Sequence, residues 1–381
     1  MAQHDPEGES KYIIGVVTGP CIQTCDEYTV AMDMIKKYGA AESGGLIKHV
    51  TYPEDFVTDM DKTIKIIENL STDPLVKAIV VNQGVPGTSI AFKNIKQKRP
   101  DIKLLVSEIH EDPIHISSVS DLVVSSDFIA RGYLLPLAAK KLGAKTFVHI
   151  SFPRHMIKES INRRKVIMEE ACKDLGLKFA SENAPDPIGE EGLDGVEKFL
   201  SKNIMVWLDK YGKDTAFFST NESHTAFIVK QVAKYGGYFI ESDLASPLIG
   251  YPKLFNINLS SNIKWQDVIK EIDTAVVEAN LAGRFGTWTA SLGYCHTAGL
   301  ISFAKQIIEN NVQVDNLDKL LESYSQFSSD IDWNGSAYRD SSGHIIEHYF
   351  LLYQDTYIFG QGFLGNTAEI IPEKYFMLGN D

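Results

Sequence analysis

Residues 76–106 read VKAIVVNQGVPGTSIAFKNIKQKRPDIKLLV. An apolar run at 76–81 is followed by a turn containing Gly and Pro, a helical period at 89–98 and a second apolar run at 103–106. This order is typical of a strand–helix–strand unit, in which a crossover helix joins two parallel strands. The stretch therefore predicts a parallel sheet covered by helices.

The same alternation continues on both sides of this stretch. We predict further strands at 12–17, 46–50, 122–124, 146–150, 215–219 and 238–241. We predict further helices at 26–38, 59–70, 130–142, 158–175, 195–210, 224–235, 265–282 and 297–310, and short aromatic-rich strands after 330. Strands that alternate with helices over such a length predict an α/β fold whose parallel sheets carry helices on both faces.

Length and strand number predict two lobes. The 381 residues correspond to about two to three domains, and a single sheet of ten or more strands is unusual. A composition of 44% hydrophobic and 23% charged residues is that of a globular chain. We therefore expect two Rossmann-like lobes with parallel sheets.

Charge and hydropathy exclude some classes of protein. The net charge of -13 disfavours a broad nucleic-acid-binding surface, and no run of about 18 apolar residues is present to span a membrane. The opening MAQHDPEGES is polar and lacks an apolar signal core. We expect 1–10 to be a disordered leader, or the start of a mature form whose signal was removed.

Four cysteines are too few for a disulfide framework, and no CxxC pair suggests a structural zinc. They leave the redox compartment open. Cys21 and Cys25 flank the first loop, where a thiol at a helix N-terminus would have a lowered pKa. Small cysteines that line a cleft or are buried are the simpler interpretation.

The loops that follow the predicted strands are the expected ligand sites, because open parallel sheets bind ligands beyond the carboxyl ends of their strands. Seven successive strand exits combine Gly or Pro with polar groups, although turn chemistry alone explains any one of them. From these loops and the GRFGTWT segment at 283–289 we select as ligand-binding residues Thr18, Cys21, Gln23, Gln83, Gly87, Thr88, His110, Glu111, Asp127, Arg131, Ser151, Arg154, His155, Thr220, Asn221, Asp243, Ser246 and Trp288.

From residue 11 onward the chain resembles the type 1 periplasmic-binding-protein fold, which solute-binding proteins share with the sensor domains of LacI-type repressors. The resemblance rests on YIIGVV (12–17), on VKAIVVNQGVPGT (76–88) and on SSDFIARGYLLPLAAKKLGAKTFVHIS (125–151). It also rests on TAFFSTNESHTAFIVKQVAKYGG (215–237), where Asn221 matches the family's Asn and Glu222 stands where Asp is usual. More narrowly, KTFVHISFPRHM, APDP (184–187) and DTAFFSTN resemble an uncharacterised bacterial family of this fold, often labelled lipoproteins.

The resemblance implies two lobes joined by a multi-strand hinge, with a ligand cleft between them. It assigns 11–125 plus about 250–310 to the N-terminal lobe, and 126–247 plus part of 311–381 to the C-terminal lobe and an aromatic-rich tail. It implies a non-enzymatic receptor for a small polar or anionic solute, serving an ABC-type importer and its membrane permease. The expected location is periplasmic or at the cell surface, with the cytoplasm as the alternative. We expect a monomer or weak dimer, with no cofactor and no metal.

Several selected residues carry a second interpretation. Asp127 and Arg131 are either ligand contacts near the hinge or an i,i+4 helix pair. Arg154 and His155 either clamp a carboxylate or phosphate, or simply begin a helix after Pro153. Arg131, Arg154 and Arg284 are expected to make the cleft more positive than the chain as a whole.

Three further patterns have a functional interpretation and a structural one. His110, Glu111, Asp112 and His115 include suitable metal ligands, but their spacing fits no known site, and cleft hydrogen bonding is the preferred role. Trp288, like Phe92 and Tyr133, either stacks on a ligand or packs beneath a loop. The literal GxGxxG at Gly360, Gly362 and Gly365 is interpreted as a turn, since too little chain follows it for a dinucleotide site.

Two rival functions remain at this point. One is a ligand-sensing transcriptional regulator without its DNA-binding domain, which the acidic balance and the ten polar residues before Lys11 disfavour. The other is a two-lobed enzyme, which lacks a recognisable nucleophile–base pair.

Overall fold

The computed structural model describes residues 12–21, 26–259, 264–328, 331–340 and 342–379. The expected leader at 1–10 lies outside the described residues, as do Gln23 and Cys25. Within the described ranges the chain forms two α/β lobes, as predicted, built on a seven-stranded and a four-stranded sheet. A small antiparallel sheet lies beside the second lobe.

The strands follow one another along the chain as β1 (Ile13–Thr18), β2 (Ile47–Thr51), β3 (Val76–Asn82), β4 (Lys103–Ser107), β5 (Leu122–Ser126), β6 (Thr146–Ser151), β7 (Lys178–Asn183), β8 (Thr215–Ser219), β9 (Tyr238–Phe239), β10 (Gly286–Thr287), β11 (Trp333–Arg339), β12 (Ile345–Gln354), β13 (Tyr357–Ile358) and β14 (Gly362–Phe363). The α-helices are α1 (Asp26–Tyr38), α2 (Met60–Leu70), α3 (Thr88–Lys98), α4 (Pro113–Ser117), α5 (Phe128–Lys141), α6 (Pro153–Met156), α7 (Glu159–Leu175), α8 (Gly192–Tyr211), α9 (Thr225–Tyr235), α10 (Tyr251–Phe255), α11 (Trp265–Glu278), α12 (Leu292–Asn310) and α13 (Leu317–Ser325).

The first lobe is organised around the sheet β11–β12–β5–β4–β3–β1–β2, in which only the outer pair β11–β12 is antiparallel. Its central strands are apolar on both sides because both faces are covered by helices. Helices α1, α12 and α13 bury one face, and α2 and α3 bury the other. The predicted 76–106 unit forms β3, α3 and β4 at the centre of this lobe.

The second lobe contains the parallel sheet β7–β6–β8–β9. Apolar positions of α8, α9 and α11, such as Leu200, Val229 and Ile272, pack on one face. Ala138 of α5 and Met168 of α7 pack on the opposite face. The lobe therefore has the same three-layer construction as the first.

Between β1 and β14, the described part of the chain passes between the lobes three times. It leaves the first lobe between β5 and α5, returns between β10 and α12, and leaves again between β12 and β13. These three connections form the hinge that the predicted fold requires.

A buried polar cluster ties the three connections together. The Arg131 guanidinium of α5 donates from Nε to Glu241 Oε1 at 2.8 Å, from Nη1 to the Asp243 carbonyl at 2.8 Å and from Nη2 to the Ser242 carbonyl at 2.7 Å. The second Glu241 oxygen accepts from the Thr356 hydroxyl at 3.2 Å. The Trp288 ring lies 5.0 Å from the guanidinium carbon. Arg131 lies on α5, directly after the first connection, and contacts Trp288, which belongs to the second. It reaches Thr356 of the third connection through Glu241.

The division into lobes differs from the predicted boundaries. Residues 251–278 were expected in the first lobe, but the apolar face of α11 packs mainly into the second. The strands at 333–354 were expected in the second lobe or a tail, but β12 pairs with β5 and extends the first sheet. Sequence periodicity identifies apolar faces without saying which lobe covers them, so the crossing points of an interleaved chain were misplaced.

Among the elements that were not predicted, β7 and α13 are the longest strand and the longest helix. Strand β7 reads KFASEN, and its alternating half-buried and exposed positions present no apolar run. Helix α13 is short, although Asn316 caps it by accepting from the Lys319 amide at 3.0 Å. Most other boundaries agree with the prediction within a few residues.

The hinge cluster makes Arg131 a test of stability. Arg131→Met leaves the Glu241 carboxylate buried without its counter-charge, and should lower the free energy of unfolding by about 3–5 kcal/mol. Adding Glu241→Gln removes the isolated charge and should recover most of that loss. Urea unfolding of both variants measures the difference. A single variant as stable as the parent chain contradicts the structural role given to this ion pair.

Candidate functional site

A cavity of about 430 Å³ lies between the lobes, at the carboxyl ends of the strands of both sheets. The first lobe lines it with loops after β1 to β5, and the second with α6, the start of α7 and the loops after β7, β8 and β9. Parallel sheets direct their strand exits to one edge, so two facing lobes bring two sets of exit loops together. This cavity is the candidate binding site.

Glu27 stands at the first-lobe side of the cavity, in the first turn of α1. Its carboxylate accepts from Gln83 Nε2 at 3.0 and 3.3 Å. Burial raises the pKa of Glu27 to about 8, against the lowering effect of the Gln83 hydrogen bond, and the acids Asp26, Glu222 and Glu108 raise it further. Gln83 follows β3 with a left-handed φ of 56°, which orients its amide at the end of the strand.

Glu108 occupies the equivalent position after β4, also with a positive φ of 43°. Its Oε1 accepts from the Ser126 amide and lies 3.0 Å from His296 Nε2. His296 Nδ1 lies 2.7 Å from the Tyr324 hydroxyl. A buried chain of polar groups therefore runs from the cavity wall into the core beneath α12 and α13, and it fixes the orientation of Glu108.

Aromatic rings form part of the first-lobe wall. Tyr52 and Phe56 meet edge to face at 5.6 Å between ring centroids, and Phe56 and His110 do so at 5.7 Å. Burial lowers the pKa of His110 well below its usual range, and nearby Lys158 and His155 reinforce the effect. His110 is therefore a neutral, partly apolar wall group at physiological pH.

Two cations of the second lobe already hold carboxylates of the chain. Arg154 grips Asp186 with two hydrogen bonds, from Nε at 2.6 Å and from Nη2 at 2.8 Å. Arg164 donates from Nη2 to Asp243 Oδ1. The carboxylate clamp predicted for Arg154 exists, but its occupant is Asp186 of the APDP segment.

Lys158 and Glu222 are two further charged groups of the second-lobe wall, and both are half-buried. Burial lowers the pKa of Lys158 to about 8, opposed by Asp243 and assisted by Arg154. Burial raises the pKa of Glu222 to about 7, with Asp243 adding to the rise and Lys158 and Arg154 opposing it. Both groups titrate near neutrality and respond to any charge placed between them.

The cavity is acidic rather than positive. Eight carboxylates line it, namely Glu27, Glu54, Glu108, Glu111, Asp112, Glu159, Glu222 and Asp243. The only Arg or Lys residues among the described lining are Arg154, Lys158 and Arg164. Of the arginines expected to make the cleft positive, Arg131 is buried in the hinge, Arg154 is paired, and Arg284 donates to the Gly237 carbonyl. The expected local positive charge was therefore wrong.

The structure brings seven of the selected residues to the cavity wall: Gln83, His110, Glu111, Arg154, His155, Asn221 and Asp243. All seven follow strands, as the loop argument required. Their contact with a ligand stays a prediction.

Five selected hydroxyl residues lie beneath the wall instead. Their oxygens are engaged in short internal contacts: Thr18 with His49 at 2.8 Å, Thr88 with the Val85 carbonyl at 2.7 Å, Ser151 with Thr220 at 2.7 Å, and Ser246 with Asp26 at 2.9 Å. These groups are buried, and they support the exit loops from below.

The remaining selected residues have structural positions. Gly87 donates its amide to Glu111 at 3.0 Å. Asp127 caps α5 by accepting from the Ala130 amide at 2.7 Å; it lies outside the cavity lining, and Arg131 forms its ion pair with Glu241 instead. Arg131 belongs to the hinge, and Trp288 is 1% exposed, packed beneath Arg131 and against Trp333. Cys21 is disulfide-bonded, which excludes the low-pKa thiol.

Internal hydrogen bonds also explain the polar cluster at 110–115. Glu111 accepts from the Gly87 amide, from the Ser89 amide at 2.8 Å and from the Ser89 hydroxyl at 3.0 Å. Asp112 caps α4 through the His115 amide at 2.8 Å. Within the described ranges, no group of three or more His, Cys, Asp or Glu residues has the arrangement of a metal site.

Several wall residues were missed by the sequence argument, among them Glu27, Tyr52, Glu108, Lys158 and Glu222. Glu27 and Lys158 lie at helix beginnings one turn beyond the loops that were searched. Glu108 and Glu222 lie inside strand-exit loops, Glu108 directly after β4 and Glu222 three residues after β8, and their signal was a carboxylate close to the end of a strand.

No helix in the described part of the chain is both long and apolar enough to cross a bilayer.

The raised pKa of Glu27 predicts a pH-dependent stability. The folded chain keeps this proton up to about pH 8, whereas the ordinary pKa of a Glu side chain is 4.5. The unfolded chain therefore loses the proton first, and stability falls between these pH values by up to about 1.4 kcal/mol per pH unit. Glu27→Gln removes this loss, so its advantage in Tm over the parent chain should grow from pH 5 to pH 8. Glu54→Gln, at the exposed rim, is the control. A pH-independent difference between Glu27→Gln and the parent contradicts the assignment.

Comparison with known proteins agrees with this architecture. The model of a family described as a protein of unknown function, DUF3798, matches residues 12–286. An uncharacterized protein of Treponema pallidum (strain Nichols) is 48% identical over 180 residues, which are 47% of this chain and 81% of that protein. A second from the same organism is 45% identical over 171 residues, 45% of this chain and 79% of that protein.

Solved structures show the fold. A protein of Clostridium difficile 630, provisionally named a transcriptional regulator, has a TM-score of 0.75 at 24% identity, covering 91% of this chain and 99% of that one. A periplasmic solute-binding protein of Actinobacillus succinogenes 130z with bound D-allose has a TM-score of 0.52 at 14% identity, covering 79% and 92%. A sugar ABC transporter protein of Actinomyces odontolyticus ATCC 17982 has a TM-score of 0.52 at 8% identity, covering 80% and 85%. The chain belongs to the DUF3798 family, and its fold is that of the type 1 periplasmic binding proteins.

Proposed function

We propose that the protein binds a small polar solute in the inter-lobe cavity without transforming it, as the receptor of an ABC-type importer. The observation that carries the proposal is the cavity of about 430 Å³ lined by strand-exit loops of both lobes. Its volume falls in the range of about 300–1,000 Å³ that is usual for small-molecule sites. A solute of monosaccharide or amino-acid size fits this space.

The rim of the cavity supports binding by closure. Ile157 and Ile188 belong to the second-lobe lining, yet they are 85% and 46% exposed. Approach of the lobes about the three connections would cover such apolar side chains and remove water from the solute. Both effects favour a closed, occupied state.

The chemistry of the described residues supports binding rather than catalysis. Cys172 and Cys295 are free thiols that lie in the cores, and burial raises the pKa of Cys172 to about 12 and that of Cys295 above its usual range. Ser125 at the cavity wall lies 3.0 Å from the Tyr349 hydroxyl, which is no general base at neutral pH.

Two observations support an extracytoplasmic location. Disulfides such as the one at Cys21 persist mainly in oxidising compartments. The structural neighbours that bind D-allose or serve sugar transport are named as transport proteins, one of them periplasmic.

The alternative is a ligand-sensing regulator, which the name of the Clostridium difficile neighbour favours. The same cavity would then control a DNA-binding partner. Retardation of DNA by the purified chain supports this alternative, and the net charge of -13 opposes it.

A cavity-filling variant tests the proposal. Ser160 lines the cavity at the start of α7, whereas Asn162 on the same helix is exposed. Sugars, nucleosides, amino acids and carboxylates are screened by thermal shift, and the compounds that raise Tm are titrated by calorimetry. Ser160→Trp should weaken their binding about tenfold or more by occupying the cavity, and Asn162→Trp should not.

Two results count against the proposed function. One is no binding by any compound class, and the other is equal binding by the parent chain and Ser160→Trp.

A further inference from the structure

Glu27 and Glu222 approach the cavity from opposite lobes and interact electrostatically. Each lies in the lining, Glu27 in the first turn of α1 and Glu222 after β8. The charge of Glu222 contributes to the raised pKa of Glu27. Both carboxylates also contribute to the raised pKa of the Tyr52 hydroxyl, which lines the same cavity. Within the described residues neither carboxylate has a Lys, Arg or His partner within the 4.0 Å of an ion pair, as every such pair involves other groups.

The charged groups with the largest effects on Glu27 are Asp26, Glu222 and Glu108, and all three are acids. Asp243, Lys158 and Arg154 act on Glu222. Arg154 is held by Asp186 and Arg164 by Asp243, so Lys158 is the one lining Lys or Arg of the described chain without an ion pair.

A second, independent feature lies in the same cavity. Arg164 is 3% exposed and lines the cavity, and its Nε is buried with no hydrogen-bond partner. An unsatisfied guanidinium N–H costs about 1–3 kcal/mol. An oxygen acceptor on a bound solute would satisfy this donor once a rotation of the side chain turns it toward the cavity.

We propose, on the basis of the solute-binding function above, that the cavity takes an amine-bearing solute whose ammonium group lies between Glu27 and Glu222 and whose hydroxyl or carboxylate oxygens face Arg164 and Lys158. Glu27 holds a proton at pH 7 in the empty cavity, and the ammonium group takes the place of that proton. It then attracts carboxylates from both lobes at once. The rings of Tyr52 and Phe56 offer faces and edges next to this position. Amino sugars and amino acids share this chemistry.

The proposal gives the solute a positively charged group. A small anion without such a group, which the resemblance also allowed, would meet eight lining carboxylates and, in the described lining, only one Lys or Arg without an ion pair. A neutral sugar would gain nothing from the ionisation of these carboxylates. A solute with a positive group next to an oxygen acceptor meets both features.

The test compares each amine with its uncharged counterpart. D-glucosamine is titrated beside D-glucose and N-acetyl-D-glucosamine, and L-threonine beside N-acetyl-L-threonine, at pH 7 in two buffers of different ionisation enthalpy. At least one amine should bind about tenfold more tightly than its N-acetyl form. Because a cation favours ionised Glu27 and Glu222, its binding should release about one proton, which the buffer comparison measures.

The variants separate the carboxylate pair from general effects. Glu27→Gln and Glu222→Gln should each weaken the amine about tenfold and reduce proton release, because each keeps the shape of the side chain and removes its charge. Glu42→Gln, on the exposed surface of the first lobe and outside the cavity lining, should change affinity less than about twofold. Comparison of D-glucosamine with L-threonine shows whether Arg164 prefers a hydroxyl or a carboxylate oxygen.

Three results overturn the inference: equal or tighter binding of the N-acetyl forms, amine binding that Glu27→Gln leaves unchanged, and no binding by either amine. Tight binding of a neutral sugar that Ser160→Trp abolishes keeps the proposed function and rejects the amine. Absence of binding by all compound classes rejects both.

Discussion

The buried Arg131 guanidinium is the constraint on which the two-lobed arrangement depends. It is a charge at 1% exposure, so it must be fully paired, and the partners that satisfy it come from the chain on both sides of the hinge. Glu241 carries the interaction on to Thr356, and Trp288 stacks on the guanidinium. Asp243 accepts from Arg131 through its backbone carbonyl and from Arg164 through its carboxylate. The cluster therefore also fixes the position of Arg164 at the cavity wall.

A second constraint follows from the parallel sheets. Both lobes direct the carboxyl ends of their strands to the same gap, where exit loops cannot satisfy all of their polar groups internally. Many of these groups are satisfied by one another, as in Arg154–Asp186 and Glu108–His296. What is left over in the described lining is chemically informative: two carboxylates without an ion pair, Glu27 and Glu222, and one buried guanidinium N–H, on Arg164.

The sequence allowed the fold to be predicted well and the site in part. Apolar runs and helical periods are local, so the 76–106 unit and most other elements could be recognised. The lobe that β12 or α11 joins depends on which neighbour covers its apolar face, and this is not a local property. Strand exits could be selected, yet whether a polar residue such as Asp127 faces the cavity or caps a helix is decided by backbone direction. Glu27 was missed because it lies beyond its loop, on the first turn of α1.

Hydrogen–deuterium exchange with and without the compound that raises Tm most is the most direct measurement of the central claim, which is that a solute is held between the lobes. The account predicts simultaneous protection of backbone amides in the first-lobe loop at 108–113 and in the second-lobe loop at 220–224. Protection confined to one lobe, or to a surface remote from these loops, would contradict it.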